Sequence, residues 1–261
     1  MKPARNLRQN LKEHGFCEIP DVLDAPLLRK VKHELTLAAR DNKKRSIPTH
    51  VPGLDPNKNN VRIFNLLSFD PIFMELITHP VALGLVRHLL SEDFIISNFT
   101  TNITHPGSLS MAAHSDLSVV IPPPWTQPWS INIMWFLDSA RTENGATLYL
   151  PNSHLIQDPT KLPKKIIQKM QPIEAKAGSV VAMDGRLWHT SGENHTTSEE
   201  RTLLFGYYTR SFIRPQWNFN VALSEEQKSH LSPELKKWLG LDLSANIATF
   251  TPTGDPHKGQ P

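Results

Sequence analysis

The sequence has a single cysteine, almost no excess charge and no long apolar run. Cys17 stands alone among 261 residues, which excludes an intrachain disulfide and a thiolate metal cage and suits a reducing compartment. The formal charge is only +3, with 28 basic residues against 25 acidic ones dispersed along the chain, so no concentrated field addresses nucleic acid or an anionic membrane. A small molecule is the expected partner. Nowhere do about 18 apolar residues run together, and the opening stretch MKPARNLRQNLKEHG carries charge with no apolar segment behind it. Neither membrane spanning nor secretion is expected, and the cytosol is the expected compartment. There is no internal repeat and no coiled-coil pattern, which leaves the oligomeric state open. No linker rich in proline, glycine and serine divides the chain into comparable halves. One domain over residues 1–250 is therefore expected, followed by a Pro/Gly-rich tail over 251–261 that is expected to lack order.

The first ninety residues read as helical. After a short strand-like entry, GFCEIPDV, Asp24 is placed to cap a helix with Pro26 in its first turn, and Leu27, Leu28, Val31, Leu35 and Ala38 form one apolar stripe. Residues 41–62 are polar and broken by prolines and a glycine, the pattern of a long connection serving as a lid or simply as a floppy loop. Asp70 and Pro71 then open an apolar pair of short helices divided by Pro80. From Phe94 onward the texture changes to short runs rich in Ile, Val, Thr and aromatics: FIISNFTTNIT, SLSMAAHSDLSVVI, SINIMWFLD, GATLYLP, GSVVAMDG, RLWHTSG and RTLLFGYYTR. Many short strands without long helices between them predict a sandwich or barrel. PTKLPKKIIQKMQ reads as a short surface helix and SPELKKWLG as a last one.

Within SLSMAAHSDLSVVI, His114 and Asp116 are one residue apart, and in an extended chain such a pair projects from one face. His189, in the strand-like RLWHTSG, is a third candidate ligand. Two histidines and a carboxylate can occupy one face of an iron or similar ion and leave the other positions open. Spacing alone leaves a second reading open, in which both histidines are satisfied core residues and Asp116 caps a turn, because 12 histidines and 25 acidic residues produce about one His-x-acid pair by chance. In RTLLFGYYTR, Arg201, Leu203, Phe205 and Tyr207 share one face while Thr202, Leu204 and Tyr208 share the other. A guanidinium opening an apolar stripe needs a carboxylate, supplied either by the chain or by a bound dicarboxylic cosubstrate.

His114-x-Asp116, the segment WFLDSARTENGATLYLPNSH and GRLWHTSGENHTTSEERTLL resemble the phytanoyl-CoA dioxygenase family of non-haem Fe(II), 2-oxoglutarate-dependent oxygenases, and the similarity runs from GFCEIPDVLD to SPELKKWLG. The resemblance implies a mainly β fold, a double-stranded β-helix or jelly roll of cupin-like form, with α-helices flanking it at the N-terminal side. It implies that His114, Asp116 and His189 hold Fe(II) and that Arg201, 12 residues beyond the second histidine, pairs with the far carboxylate of 2-oxoglutarate. By the same resemblance Ser191 supports that carboxylate, while Thr147 and Trp135 match residues that some members place near the cosubstrate. Two departures are visible. PNSH replaces the usual PGSH, so Asn152 must adopt the glycine's backbone conformation, which asparagine tolerates. The chain ends KGQP, not in a peroxisomal signal. Asp116 itself argues against a halogenase, whose iron site has a small residue there.

The implied activity consumes O2 and 2-oxoglutarate, releases succinate and CO2, and oxidises an unactivated C–H bond, with hydroxylation as the default and desaturation, epoxidation or rearrangement drawing on the same machinery. A jelly roll that binds metal and ligand without turnover is the reading from another class. Trp125 and Trp129 in IPPPWTQPWS either close over the barrel mouth or pack their loop onto the barrel, and Phe64 and Asn65 follow the 41–62 segment as a second wall. No phosphate-cradling glycine loop and no dense basic cluster favour a CoA thioester, so a small, partly apolar metabolite is the expected substrate.

Overall fold

A computed structural model describes residues 4–242; the tail expected at 251–261 lies outside the described residues. In chain order the strands are β1 (Phe16–Ile19), β2 (Asn60–Ile63), β3 (Phe94–Thr104), β4 (Ser130–Phe136), β5 (Thr147–Tyr149), β6 (Gln171–Ile173), β7 (Val180–Asp184), β8 (His189–Ser191) and β9 (Arg201–Arg210). They form a six-stranded antiparallel sheet in the order β1-β7-β4-β9-β3-β2 and a three-stranded sheet in the order β6-β5-β8. This is the jelly-roll architecture that the resemblance implies, and it agrees with the sandwich or barrel expected from the strand pattern.

Helices cover the outer face of the large sheet. α1 (Arg5–His14) leads into β1 through Gly15, and α2 (Ala25–Lys44) starts where the Asp24 side chain accepts from Leu27 N at 2.9 Å. α3 (Pro71–Ile77) is capped by Asp70 and α4 (Pro80–Leu90) by His79, so Pro80 divides the pair as expected. Val31, Leu35 and Ala38 of α2 and the apolar faces of α3 and α4 form one core cluster with Ile131, Ile133, Trp135, Leu204 and Tyr208 of the sheet. The alternate residues of the same strands, Met134, Phe136 and Leu203, point the other way into a second cluster with Ile173 and Leu187, between the sheets. β4 is therefore buried on both faces, which is why SINIMWF is apolar nearly throughout. Among the described residues no single helix is long and apolar enough to cross a membrane.

Three sequence expectations change. The segment 41–62 is not one long loop: α2 continues to Lys44, and Asn60–Ile63 is an edge strand paired with Thr101–Thr104. Prolines and polar residues around it hide the short alternation of Val61 and Ile63. PTKLPKKIIQKMQ forms two 3-10 turns, Pro159–Lys161 and Ile166–Lys169, instead of a helix, because Pro163 interrupts it and Lys165 takes φ 55°. SLSMAAHSDLSVVI is not a strand either. His114 makes a one-residue bridge, and Ser115 then caps a 3-10 turn, Asp116–Val119. Asn152 does adopt the left-handed conformation, φ 62°, so the PNSH turn is kept without its glycine.

Candidate active site

A cavity of about 480 Å³ opens between the two sheets, and His114, Asp116, His189, Ser191, Thr147 and Arg201 all line it. The two histidines meet because they are bridge partners. His114 N donates to His189 O at 2.9 Å and His189 N donates to His114 O at 2.8 Å, a mutually bonded antiparallel pair whose side chains leave on one side. Their ring centroids are 4.4 Å apart. Ser115 between His114 and Asp116 is extended (φ −114°, ψ 138°), so the i, i+2 argument holds locally even though no strand is present. Asp116 Oδ1 lies 3.9 Å from His114 Nε2 and 3.8 Å from His189 Nε2.

These three side chains fit a divalent transition metal by the chemistry of their donors. Two nitrogens and a carboxylate oxygen converge, and each imidazole has its other nitrogen engaged: His114 Nδ1 with Ala112 O at 3.0 Å and His189 Nδ1 with Leu187 O at 2.9 Å. A backbone carbonyl on Nδ1 requires the proton there and leaves Nε2 as a lone-pair donor toward the cavity. Burial pushes the His189 pKa below its ordinary value, the Asp116 carboxylate opposing and His114 adding to the shift, which favours the neutral ring a metal needs. Asp116 is oriented in turn: its Oδ2 accepts from Asn132 Nδ2 at 3.0 Å, and its backbone carbonyl accepts from the Tyr207 hydroxyl at 2.9 Å. Replacing Asn132 with leucine is expected to weaken Ni(II) binding about 10–100-fold, the usual cost of losing a group that orients a ligand. Titration calorimetry on the protein stripped of metal reads this, and unchanged affinity would show that Asp116 needs no such support.

Deeper in the cavity Arg201 is 1% exposed. Its Nε and Nη2 donate to Gly145 O at 3.1 and 2.7 Å and its Nη1 to Asn102 Oδ1 at 3.4 Å. Gly145 presents that carbonyl from φ 89°, where other residues are strained. Among the described residues no carboxylate lies within 4 Å of the guanidinium. Burial pushes its pKa down to about 9, with Asp138 opposing and nearby Arg62 adding, so it remains a cation at neutral pH. Ser191 and Thr147 are register partners in the small sheet, and the Ser191 hydroxyl accepts from Met111 N at 3.3 Å.

Trp135 is a correction. It sits on the helix-facing side of β4, fully buried and edge-on to His79 at 5.6 Å, away from the cavity, because its neighbours Met134 and Phe136 take the inner face. Trp125 and Trp129 pack with Leu117 and Ile213 and do not line the cavity; the Trp125 indole donates to Val120 O at 2.9 Å, bracing the turn that carries Asp116. Other lining residues had escaped notice: Arg62, whose Nε is paired with buried Asp55 at 2.7 Å, and Asn98, Asn102, Asn132 and Gln216. The signal for two of them was present in FIISNFTTNIT, where Asn98 and Asn102 alternate with Thr100, also a lining residue, as polar positions on one strand face.

A jelly roll with two histidines and an aspartate converging at its mouth defines a non-haem metal oxygenase. A family model described as Phytanoyl-CoA dioxygenase (PhyH) matches residues 11–202, and the chain belongs to that family. It is a non-haem Fe(II)- and 2-oxoglutarate-dependent dioxygenase with O2 as cosubstrate. Over 232 residues it is 42% identical to dioxygenase af480 of Aspergillus fumigatus, covering 89% of this chain and 75% of that one. In fold it matches HygX of Streptomyces hygroscopicus, whose structure has nickel and 2-oxoglutarate bound (TM-score 0.65, 17% identity, 83% and 90% of the two chains). It also matches the non-heme alpha ketoglutarate dependent epimerase SnoN from nogalamycin biosynthesis (TM-score 0.65, 20% identity, 82% and 86%).

Proposed function

We propose that the chain hydroxylates an unactivated C–H bond of a small, partly apolar metabolite, with His114, Asp116 and His189 holding Fe(II) and Arg201 receiving the far carboxylate of 2-oxoglutarate. The observation that carries this reading is the buried guanidinium without a carboxylate in the same cavity as the three-donor group. A buried cation of this kind is costly unless an anion arrives. When bound, Fe(II), 2-oxoglutarate and O2 together supply the oxidising power, and the cosubstrate leaves as succinate and CO2.

The residues do the rest by geometry. Arg201 and its neighbours Ser191 and Thr147 fix one end of the dicarboxylate, which sets where its other end meets the three donors. Phe64, Phe205 and Met111 form apolar wall around the donors and keep water out. Leu54 and Val119 extend that wall to the surface, and Val119 is 56% exposed, a large apolar side chain left at the rim of a cavity. This suits a substrate with an apolar body. The test is to add Fe(II) and 2-oxoglutarate anaerobically, record the visible charge-transfer band of the chelate, then admit O2 with a metabolite library. Succinate release and a mass gain of one oxygen on one compound are expected. A protein that binds 2-oxoglutarate but forms no succinate with any compound would be a binding module instead.

A further inference from the structure

At the outer end of the cavity, β3 departs from regular pairing. Its register with β9 shifts between Ile96 and Asn98, leaving Ser97 as a bulge residue. The bulge is tied down: Ser97 Oγ accepts from Gln216 N at 3.0 Å and Ser97 O accepts from Trp217 N at 3.2 Å. This clamps the chain after β9 over Asn98, whose Nδ2 donates to Gln216 Oε1 at 3.0 Å. Asn98 is 8% exposed, lines the cavity, and its Oδ1 is buried with no hydrogen-bond partner. A buried amide oxygen without a partner in a well-tied loop marks a place for a donor from outside.

The charges in the cavity define what that donor belongs to. Its ionisable lining residues are Arg62, His114, Asp116, His189, Arg201 and Tyr207, and burial keeps the Tyr207 phenol neutral. Arg62 is neutralised by Asp55, and His114, Asp116, His189 and Arg201 belong to the metal and cosubstrate ends. The remaining polar wall is made of neutral groups. The paired amides leave one free acceptor and one free donor on two side chains already bonded to each other, Asn98 Oδ1 and Gln216 Nε2, and exchanging O and N in both side chains leaves the same complement. An alcohol both donates and accepts, and so satisfies both groups at once.

We propose that Asn98 and Gln216 anchor the substrate and that the substrate is an uncharged molecule presenting an alcohol to them. The proposal rests on the oxygenase reading for the statement that the charged end of the cavity is already occupied. Its geometry relates the anchor to the reacting end. Asn98, Tyr207 and Asn132 are register partners across three neighbouring strands, and Tyr207 and Asn132 both bond Asp116. The anchor is thus two strand spacings, about 10 Å, from the strand position that orients Asp116. A substrate held by its alcohol would span that row and present a C–H bond far from its own hydroxyl.

The experiment uses three probes of one shape: 4-cyclohexylcyclohexanol, its methyl ether and the corresponding carboxylate. Each is titrated by tryptophan fluorescence into the full chain, with and without Ni(II) and 2-oxoglutarate. The alcohol is expected to bind about fivefold tighter than the ether, the value of one hydrogen-bond donor. With Ni(II) and 2-oxoglutarate bound it is expected to exceed the carboxylate by more than about tenfold, since Arg201 is then engaged and that charge finds no free partner. In Asn98→Leu and in Gln216→Ala, the latter at an exposed position that does not endanger folding, the preference for alcohol over ether is expected to vanish. Equal binding of alcohol and ether by the unaltered protein, binding of none of the three, or a preference that survives both substitutions would overturn the proposal. Failure to bind Ni(II) and 2-oxoglutarate would sink the oxygenase reading alone, because the alcohol preference is also measured without them.

Discussion

Arg201→Met is expected to raise the KM for 2-oxoglutarate by roughly 30-fold to several thousandfold, which corresponds to the 2–5 kcal/mol typically lost when one partner of a buried, hydrogen-bonded charge pair is truncated. The guanidinium lies in a site almost sealed from water, where a carboxylate meeting it gains far more than at a surface. The effect on the unliganded protein should be small. Removing the buried cation relieves a desolvation penalty, while Gly145 O loses the Nε and Nη2 donors. These contributions oppose each other, each on the order of 1–3 kcal/mol. The clearest readout is ligand-induced stabilisation. At a 2-oxoglutarate concentration one hundred times the unaltered protein's dissociation constant, that protein should gain about 2.7 kcal/mol, and the variant no more than about 0.9 kcal/mol. If KM moved by less than threefold, the carboxylate would have to be received elsewhere, and Arg62 is the other guanidinium in the cavity.

Asp116→Ala should abolish turnover by removing the one anionic donor of the three. Its loss of Ni(II) affinity should exceed the roughly 100-fold upper value for losing an orienting group, as it removes the ligand itself. The fold should not suffer. Tyr207 holds the Asp116 backbone carbonyl, Ser115 caps the turn, and Trp125 braces it, and none of these contacts uses the carboxylate. Stability without metal is therefore expected to fall by no more than about 1–3 kcal/mol, the cost of leaving the Asn132 amide without the Asp116 oxygen it donates to. The measurement pairs metal calorimetry with a denaturant midpoint. A variant that retained metal affinity would show that the two histidines bind without Asp116, and the three-donor reading would fail.

Much of the fold was legible in the sequence because local physics dominates there. FIISNFTTNIT and RTLLFGYYTR coincide with β3 and β9, the two longest strands, since β-branched and aromatic residues predominate in both between turn residues. The Asp24 and Asp70 caps start their helices because an oxygen two or three residues ahead satisfies the first free amides. Elements held by distant partners were harder. β2 is four residues whose pairing with Thr101–Thr104 no local pattern announces, and the Trp135 indole could be assigned to either face of β4 until the helices claimed one. The cavity's amide wall was half visible: the alternation of Asn98, Thr100 and Asn102 is local, whereas Asn132 and Gln216 join it only through strand pairing and the Ser97 clamp.

By itself the amino-acid sequence determined the strand-rich architecture, the pairing of His114 with Asp116 on one side of a short extended step, and the face of β9 from which Arg201 points inward. Those are properties of a few neighbouring bonds, set by the two-residue period of extended chain. Tertiary structure alone decided that His189 would be the bridge partner of His114, that Arg201 would meet a carbonyl and an amide and no carboxylate, and that Trp135 would face the helices. Each of those depends on which distant segment arrives opposite, a choice made by packing over the whole sheet.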